Sequence, residues 1–188
     1  MTITVEKPEI ITLMYRQEKT DADYGSCLWA RFYFDTKNYT LSIESDCGNY
    51  SHGWLPTPEH ESFLHLCARF DAEYLLYKIS DKSVVNSDAT WKAVKELLEE
   101  IVEYSDLKDE LDEYIWNEIE SACYQCRNQR DVYDSIMDAL DYTRVKEKIE
   151  IEDLFGAIEM DYPANAKKIF SVFTQHIRPF IKNMEVQP

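Results

Sequence analysis

Glycine and proline are scarce, four and six among 188 residues, so long flexible linkers are not expected and most of the chain reads as regular structure. No apolar run approaches the length needed to cross a bilayer, and residues 1–9 lack the charged-then-apolar layout of a secretory signal. The five cysteines, Cys27, Cys47, Cys67, Cys123 and Cys126, are odd in number and irregularly spaced. That pattern suits reduced thiols, not a disulfide framework, and points to the cytosol.

Positive charge is the other shortage. Twenty lysines and arginines face 36 aspartates and glutamates, for a net charge of −16. Such a surface repels nucleic acid, so direct binding of DNA or RNA through a basic face is not expected, whereas a basic partner is attracted. Disorder is excluded by the apolar content: 45% of residues are hydrophobic and 13% aromatic, enough to bury a core in one ordinary domain or two small ones.

Catalytic signatures are missing as well. There is no G-x-S-x-G elbow and no glycine-rich phosphate loop. His60, Glu61 and His65 suggest a zinc-protease helix, but the histidines stand five residues apart, and i, i+4 spacing is required to bring both to one metal. Cys123 and Cys126 form a lone C-x-x-C without a second ligand pair, and read as two small semi-buried side chains. Cys47, His52, His60, His65 and Cys67 match no ligand spacing. The expectation is therefore a non-enzymatic protein with no catalytic, cofactor or metal residues.

What is present begins with strands. Residues 10–15 are short, apolar and rich in strand formers. Residues 27–34 alternate, with Leu28, Ala30, Phe32 and Phe34 on one side and Cys27, Trp29, Arg31 and Tyr33 on the other. After a turn at 35–38, residues 39–45 alternate again with Leu41 and Ile43 facing in, which makes a β-hairpin. A second turn at 46–49 leads to a further strand at 50–54. Thr57 and Pro58 then open a helix, helped by Glu59 and Glu61, with the stripe Phe63, Leu66, Cys67 and Phe70. A second helix is expected at 71–79, burying Tyr74, Leu75 and Ile79.

Beyond a boundary at 80–86 the period becomes helical. Trp91, Val94, Leu98, Ile101 and Val102 line a first helix; Ser105 is placed as N-cap of a second with Leu107, Leu111, Tyr114, Ile115 and Ile119. Val132, Ile136, Met137 and Leu140 mark a third. Ile151, Leu154, Phe155 and Ile158, then Ile169, Phe170, Phe173 and Ile177, mark the tail, which Pro179 should kink or end.

Two features carry candidate function. Glu96, Glu99, Glu100, Glu103, Asp106, Asp109, Glu110, Asp112, Glu113, Glu118 and Glu120 fall in one run opposed only by Lys108. On helices they form either a solvated face or an imitation of a phosphate backbone that enters a nucleic-acid groove. Around the sheet, Tyr24, Trp29, Tyr33, Tyr39, Tyr50 and Trp54 gather, and a face bearing Trp29 and Tyr33 suits a protein contact.

The segment 45–54, with Asp46, Gly48, Asn49, Tyr50 and Trp54 in a strand, D-x-G-N-Y, strand, tryptophan order, resembles small accessory proteins of tailed bacteriophages and prophages. The likeness covers about the first 80 residues and includes an acidic-Tyr-Leu-Leu stretch at 73–76. It implies a phage protein acting in a bacterial or phage-infected cell and raises the expectation of an inhibitor of a host defence enzyme, of the anti-CRISPR or antirestriction kind. It implies no catalytic residue.

The combined expectation is an α+β protein: an antiparallel sheet of three or four strands packed on helices at 1–82, then a helical bundle at 83–188, or one continuous domain. Its expected role is to bind a basic nucleic-acid-handling protein through the acids from Glu96 to Glu113, with Trp29 and Tyr33 as a second anchor. A homo-oligomeric adaptor that pairs through the aromatic face, and an enzyme or metal protein with a site assembled from distant residues, stand as alternatives.

Overall fold

The structure is a computed structural model that describes residues 3, 5, 7–56 and 62–185. The chain is α+β and divides into two compact units, Met1–Asp81 with Tyr162–Pro188, and Lys82–Asp161. The second is inserted into the first. The tail helices, grouped by sequence with the helical region, belong instead to the unit that holds the sheet.

In the first unit, β1 (Ile10–Arg16), β2 (Trp29–Asp35), β3 (Thr40–Ser45) and β4 (Gly48–Gly53) form an antiparallel meander in that order. Leu13, Phe32 and Ile43 lie side by side across the first three strands, with Ile43 facing Tyr50 on the fourth. Ile11, Phe34, Leu41 and His52 make the neighbouring row. Period-two alternation sends both rows to one face, where Phe32, Phe34 and Leu41 are fully buried. The alternation does not extend back to residues 27 and 28. β2 starts at Trp29, so Cys27 is buried and Leu28 is exposed, the reverse of the sequence expectation.

Helices cover the inner face. The expected helix start at Thr57, Pro58, Glu59 and Glu61 lies outside the described residues; α1 (Phe63–Ala68) is capped by Ser62, whose hydroxyl accepts from His65 N. Asp71 caps α2 (Ala72–Ile79), which buries Leu75 and Leu76. Tyr74 of α2 is exposed, not buried, with its ring against Phe70 and its hydroxyl accepting from Trp54 Nε1 at 2.9 Å, and Ile79 is half-buried. Phe63 packs on Phe34, and Trp54 stacks on Phe70.

The second unit opens with β5 (Val84–Val85) and α3 (Ser87–Ser105). A 3-10 turn, Lys108–Glu110, leads to α4 (Glu113–Gln125), α5 (Gln129–Ala139) and α6 (Ile151–Ala157), and β6 (Met160–Asp161) closes the unit by pairing with β5. Val94, Leu98, Ile119, Val132, Ile136, Leu140 and Leu154 form its fully buried core. Ser105 is not the N-cap of a new helix. It ends α3, Asp106 terminates the helix in a left-handed conformation (φ +56°), and Asp112 caps α4 by accepting from Ile115 N.

In the first unit again, α7 (Ala164–Val172), a π-helical turn at Phe173–Ile177 and α8 (Arg178–Glu185) run on without a break. Pro179 neither ends nor breaks this rod. It has no N–H to donate within α8, and the turn before it is widened, with Arg178 N reaching Phe173 O five residues back. Phe173 is fully buried with its ring against Phe32.

Candidate functional site

The acidic run is borne by α3, the 3-10 turn and the start of α4, all in the second unit. The apolar stripe of α3 (Val94, Leu98, Val102) faces the core, which leaves Glu96, Glu99, Glu100 and Glu103 exposed on the opposite side. Asp106, Asp109, Asp112, Glu113 and Glu118 are exposed too, and Glu110 and Glu120 are half-buried. Of the net −16, −13 lies within 82–161, where nine lysines and arginines face twenty-two aspartates and glutamates.

These acids are not equivalent. Glu110 accepts from both Nε and the backbone N–H of Arg144. Burial alone would raise its carboxyl, but the bonds from Arg144 outweigh this and hold it below the ordinary carboxylate value. Asp106 and Asp112 shape the chain between α3 and α4. Glu96 and Glu99 meet Lys92 and Lys95 at 3.9 Å on the same helix, exposed pairs of the kind that contribute at most about 1 kcal/mol and open readily. Glu100, Glu103, Asp109 and Glu113 have no such structural task among the described residues. Tyr104 and Tyr114 stand in the same region, 84% and 70% exposed. Tyr114 was expected in the apolar stripe; with α4 beginning at Glu113, its side chain lies on the outer side.

The aromatic candidates sit on the first unit. Trp29, Arg31 and Tyr33 alternate along β2 on the face away from the helices. Arg31 lies over the Trp29 ring at 5.6 Å and meets Glu44 at 3.3 Å, and Tyr33 donates to the same carboxylate at 3.0 Å. Beside them an open cleft of about 450 Å³ is lined by Met14, Arg16, Gln17, Tyr24, Leu28, Trp29 and Arg31. Trp29 and Tyr33 therefore share one face, whereas Tyr39, Tyr50 and Trp54 pack on the core.

A second open cleft in this unit, about 510 Å³, is lined by Lys168, Ser171, Gln175, His176 and Ser26 among others. It is no serine–histidine site: the Ser26 hydroxyl lies 3.0 Å from Gln17 Nε2 and 3.1 Å from the Asp23 carboxylate, and the His176 ring packs on Tyr15.

Cys47, His52, His65 and Cys67, which match no ligand spacing in sequence, form no cluster of possible metal ligands with one another among the described residues. Cys123 is buried and Cys126 half-buried at the end of α4, and burial pushes the Cys123 thiol up to about 11. His52 lies against Trp54, and His60 lies outside the described residues. Cys47 meets Cys27 and Asp46 instead, with one ligand atom from each of the three within 4.8 Å of the others. Burial, then the neighbouring Cys47 and Asp46, push the Cys27 thiol far above its ordinary value. The β2–β3 register explains the meeting. Ala30 faces Ser45, so the residues just before β2 reach those just after β3.

The D-x-G-N-Y segment is the β3–β4 turn that builds this corner. Asp46 accepts from Leu28 N and Trp29 N, Gly48 adopts φ +112°, and the Tyr50 hydroxyl donates to Cys47 O. A Cβ at Gly48 would also meet the Tyr50 hydroxyl at 3.0 Å, so glycine is required twice over.

Among the described residues no helix is long and apolar enough to cross a membrane. In comparisons with known proteins, the model of a phage family, Phage_phiTE_072, matches residues 3–183, which extends the likeness through the helical half. No curated protein and no solved structure matches the chain.

Proposed function

The chain belongs to this phage family, and from that premise we propose that it is a non-enzymatic inhibitor or modulator of a host nucleic-acid-handling protein, of the anti-CRISPR or antirestriction kind. The contact is the acidic face of α3 and the turn after it, and the partner is a basic protein or complex. One observation carries the reading. Glu96, Glu99, Glu100 and Glu103 lie exposed along one side of α3. Seven residue rises of a helix span about 10.5 Å, which gives about 3.5 Å per charge along the axis. One strand of double-helical DNA presents a charge every 3.4 Å or so. A groove built to hold phosphates meets carboxylates at a similar linear density there.

The test is capture from bacterial lysate with the full chain and with a variant in which Glu96, Glu99, Glu100 and Glu103 are changed to Gln. Glutamine keeps helix propensity, and Glu110 and Asp112 are spared for their structural bonds. The expected result is a nucleic-acid-binding protein retained at low salt, released at high salt, and held about tenfold more weakly by the variant. Equal retention by the variant would sink the mimicry reading.

A second reading has its own support. Among the described residues of the first unit, Trp29 and Tyr33 lie half-buried on the sheet face opposite the helix-covered core, which suits a homo-oligomeric adaptor that pairs through this face. Light scattering at two concentrations separates the readings: a mass that rises with concentration and falls in Trp29→Ala favours the adaptor.

A further inference from the structure

We propose that Cys27, Asp46 and Cys47 form a zinc-binding site, a role independent of the acidic face. The donors come from two places that the sheet brings together, the end of the loop before β2 and the turn between β3 and β4. Cys27 Sγ lies 3.4 Å from Asp46 Oδ1, and the two sulfurs and a carboxylate oxygen all lie within 4.8 Å of one another. Zinc bound at about 2.3 Å to sulfur and about 2.0 Å to oxygen gives tetrahedral edges of about 3.5 Å for S···O and about 3.8 Å for S···S. The three donors stand near that spacing already, and closing on an ion requires side-chain shifts of about 1 Å or less.

The surroundings fix the carboxylate and the two backbone segments that carry the sulfurs. Asp46 is fixed by the backbone N–H groups of Leu28 at 2.9 Å and Trp29 at 3.4 Å, the kind of outer support that orients a metal-binding carboxylate. Ser45 Oγ accepts from Cys47 N and donates to Gly48 O, and the Tyr50 hydroxyl donates to Cys47 O, so the turn carrying two donors is pinned from both sides. In the loop between β1 and β2, Gln17 ties Asp23, Gly25 and Ser26 together just ahead of Cys27. As thiols, Cys27 and Cys47 donate to the carbonyls of Trp29 and Ser26, weak hydrogen bonds that metal ligation would replace.

The donor set selects the metal. Two sulfurs disfavour magnesium and calcium, a carboxylate suits zinc better than copper(I), and three protein ligands leave a fourth vertex for water on the exposed side of Asp46. On binding, the zinc ion displaces the two thiol protons to solvent and forms two Zn–S bonds and one Zn–O bond, with no change of oxidation state. The ion then clamps the loop before β2 to the β3–β4 turn.

Cobalt(II) is the probe, because thiolate ligation gives charge-transfer absorption that carboxylates do not, and a chain of net charge −16 binds divalent ions loosely elsewhere. The full chain, reduced and stripped of metal, is titrated with cobalt and then with zinc. The expected result is one cobalt per chain with a sulfur charge-transfer band that zinc abolishes. Cys27→Ser and Cys47→Ser lose the band, Asp46→Asn weakens binding about tenfold or more, and Cys126→Ser leaves both unchanged. Absence of the band in the unsubstituted chain overturns the proposal whatever the variants do. So does a band that survives Cys27→Ser and Cys47→Ser, or one that only Cys126→Ser removes.

Discussion

Thr90 is a fully buried polar side chain, and its hydroxyl does two jobs on one residue. It accepts from Glu159 N at 3.0 Å and lies 3.3 Å from Glu159 O, closing the first turn of α3 onto the segment before β6. Thr90→Val keeps the shape and removes the partner, which strands a backbone N–H away from water. The expected loss is about 1–3 kcal/mol of stability, read as a lower urea midpoint with unchanged slope. His52 makes a pH-dependent contribution. Burial first, and then Lys78, hold its imidazole below the ordinary value. The unfolded chain therefore takes up a proton near pH 6.5 that the folded chain resists, so stability is full above that value and falls as the solution is acidified through it. Urea midpoints at pH 7.5 and 5.5 should differ more in the unsubstituted protein than in His52→Gln.

At the scale of elements, the connection between α3 and α4 separates acids that build the fold from acids free to bind. Asp112→Ala removes the cap of α4 and should cost about 1 kcal/mol, whereas Asp112→Asn retains the capping oxygen and should unfold near the parent midpoint. If both variants were equally destabilised, the charge and not the cap would be the source. The same connection marks where sequence reading stopped. The strands were legible because Phe32, Phe34, Leu41 and Ile43 alternate without interruption, and α3 was legible because Val94, Leu98 and Val102 repeat at helical spacing. Leu107 and Leu111 stand at i, i+4 spacing with Ile115 and Ile119, so they read as the first turn of α4, yet they precede it in a segment that is not α-helical; the left-handed Asp106 ends α3, and the Asp112 cap starts α4 only after them. Trp29, Tyr33 and the exposed glutamates were readable as surface from the opposite halves of the same periodicities. The corner of Cys27, Asp46 and Cys47 was not, since it depends on the register of two strands and on a turn that reverses the expected facing of residues 27 and 28.

At the scale of the whole molecule, charge and topology coincide. The unit at 82–161 is continuous in sequence, has its own apolar core, and carries most of the negative charge. Expressed alone, 82–161 should be helical and unfold in one cooperative transition, observable by circular dichroism on heating. Added salt should raise its midpoint by screening self-repulsion, by more than it raises that of the first unit with the insert replaced by a short linker. A fragment without a cooperative transition would mean that the insert depends on the rest of the chain.

The pairing of Val84–Val85 with Met160–Asp161, reinforced by Ser83 N to Asp161 O and Asn86 N to Glu159 O, places the two crossings of the chain side by side, about 5 Å apart as strand neighbours are. Far apart in the gene, the two strands are neighbours in the fold, at the points where the insert leaves the first unit and returns to it. A recombination event with one breakpoint at each strand would exchange the acidic cargo wholesale and hand the sheet back its two ends at the spacing they already have. The sheet and its cysteine corner could then be inherited as a constant frame while the insert is traded from one lineage to the next.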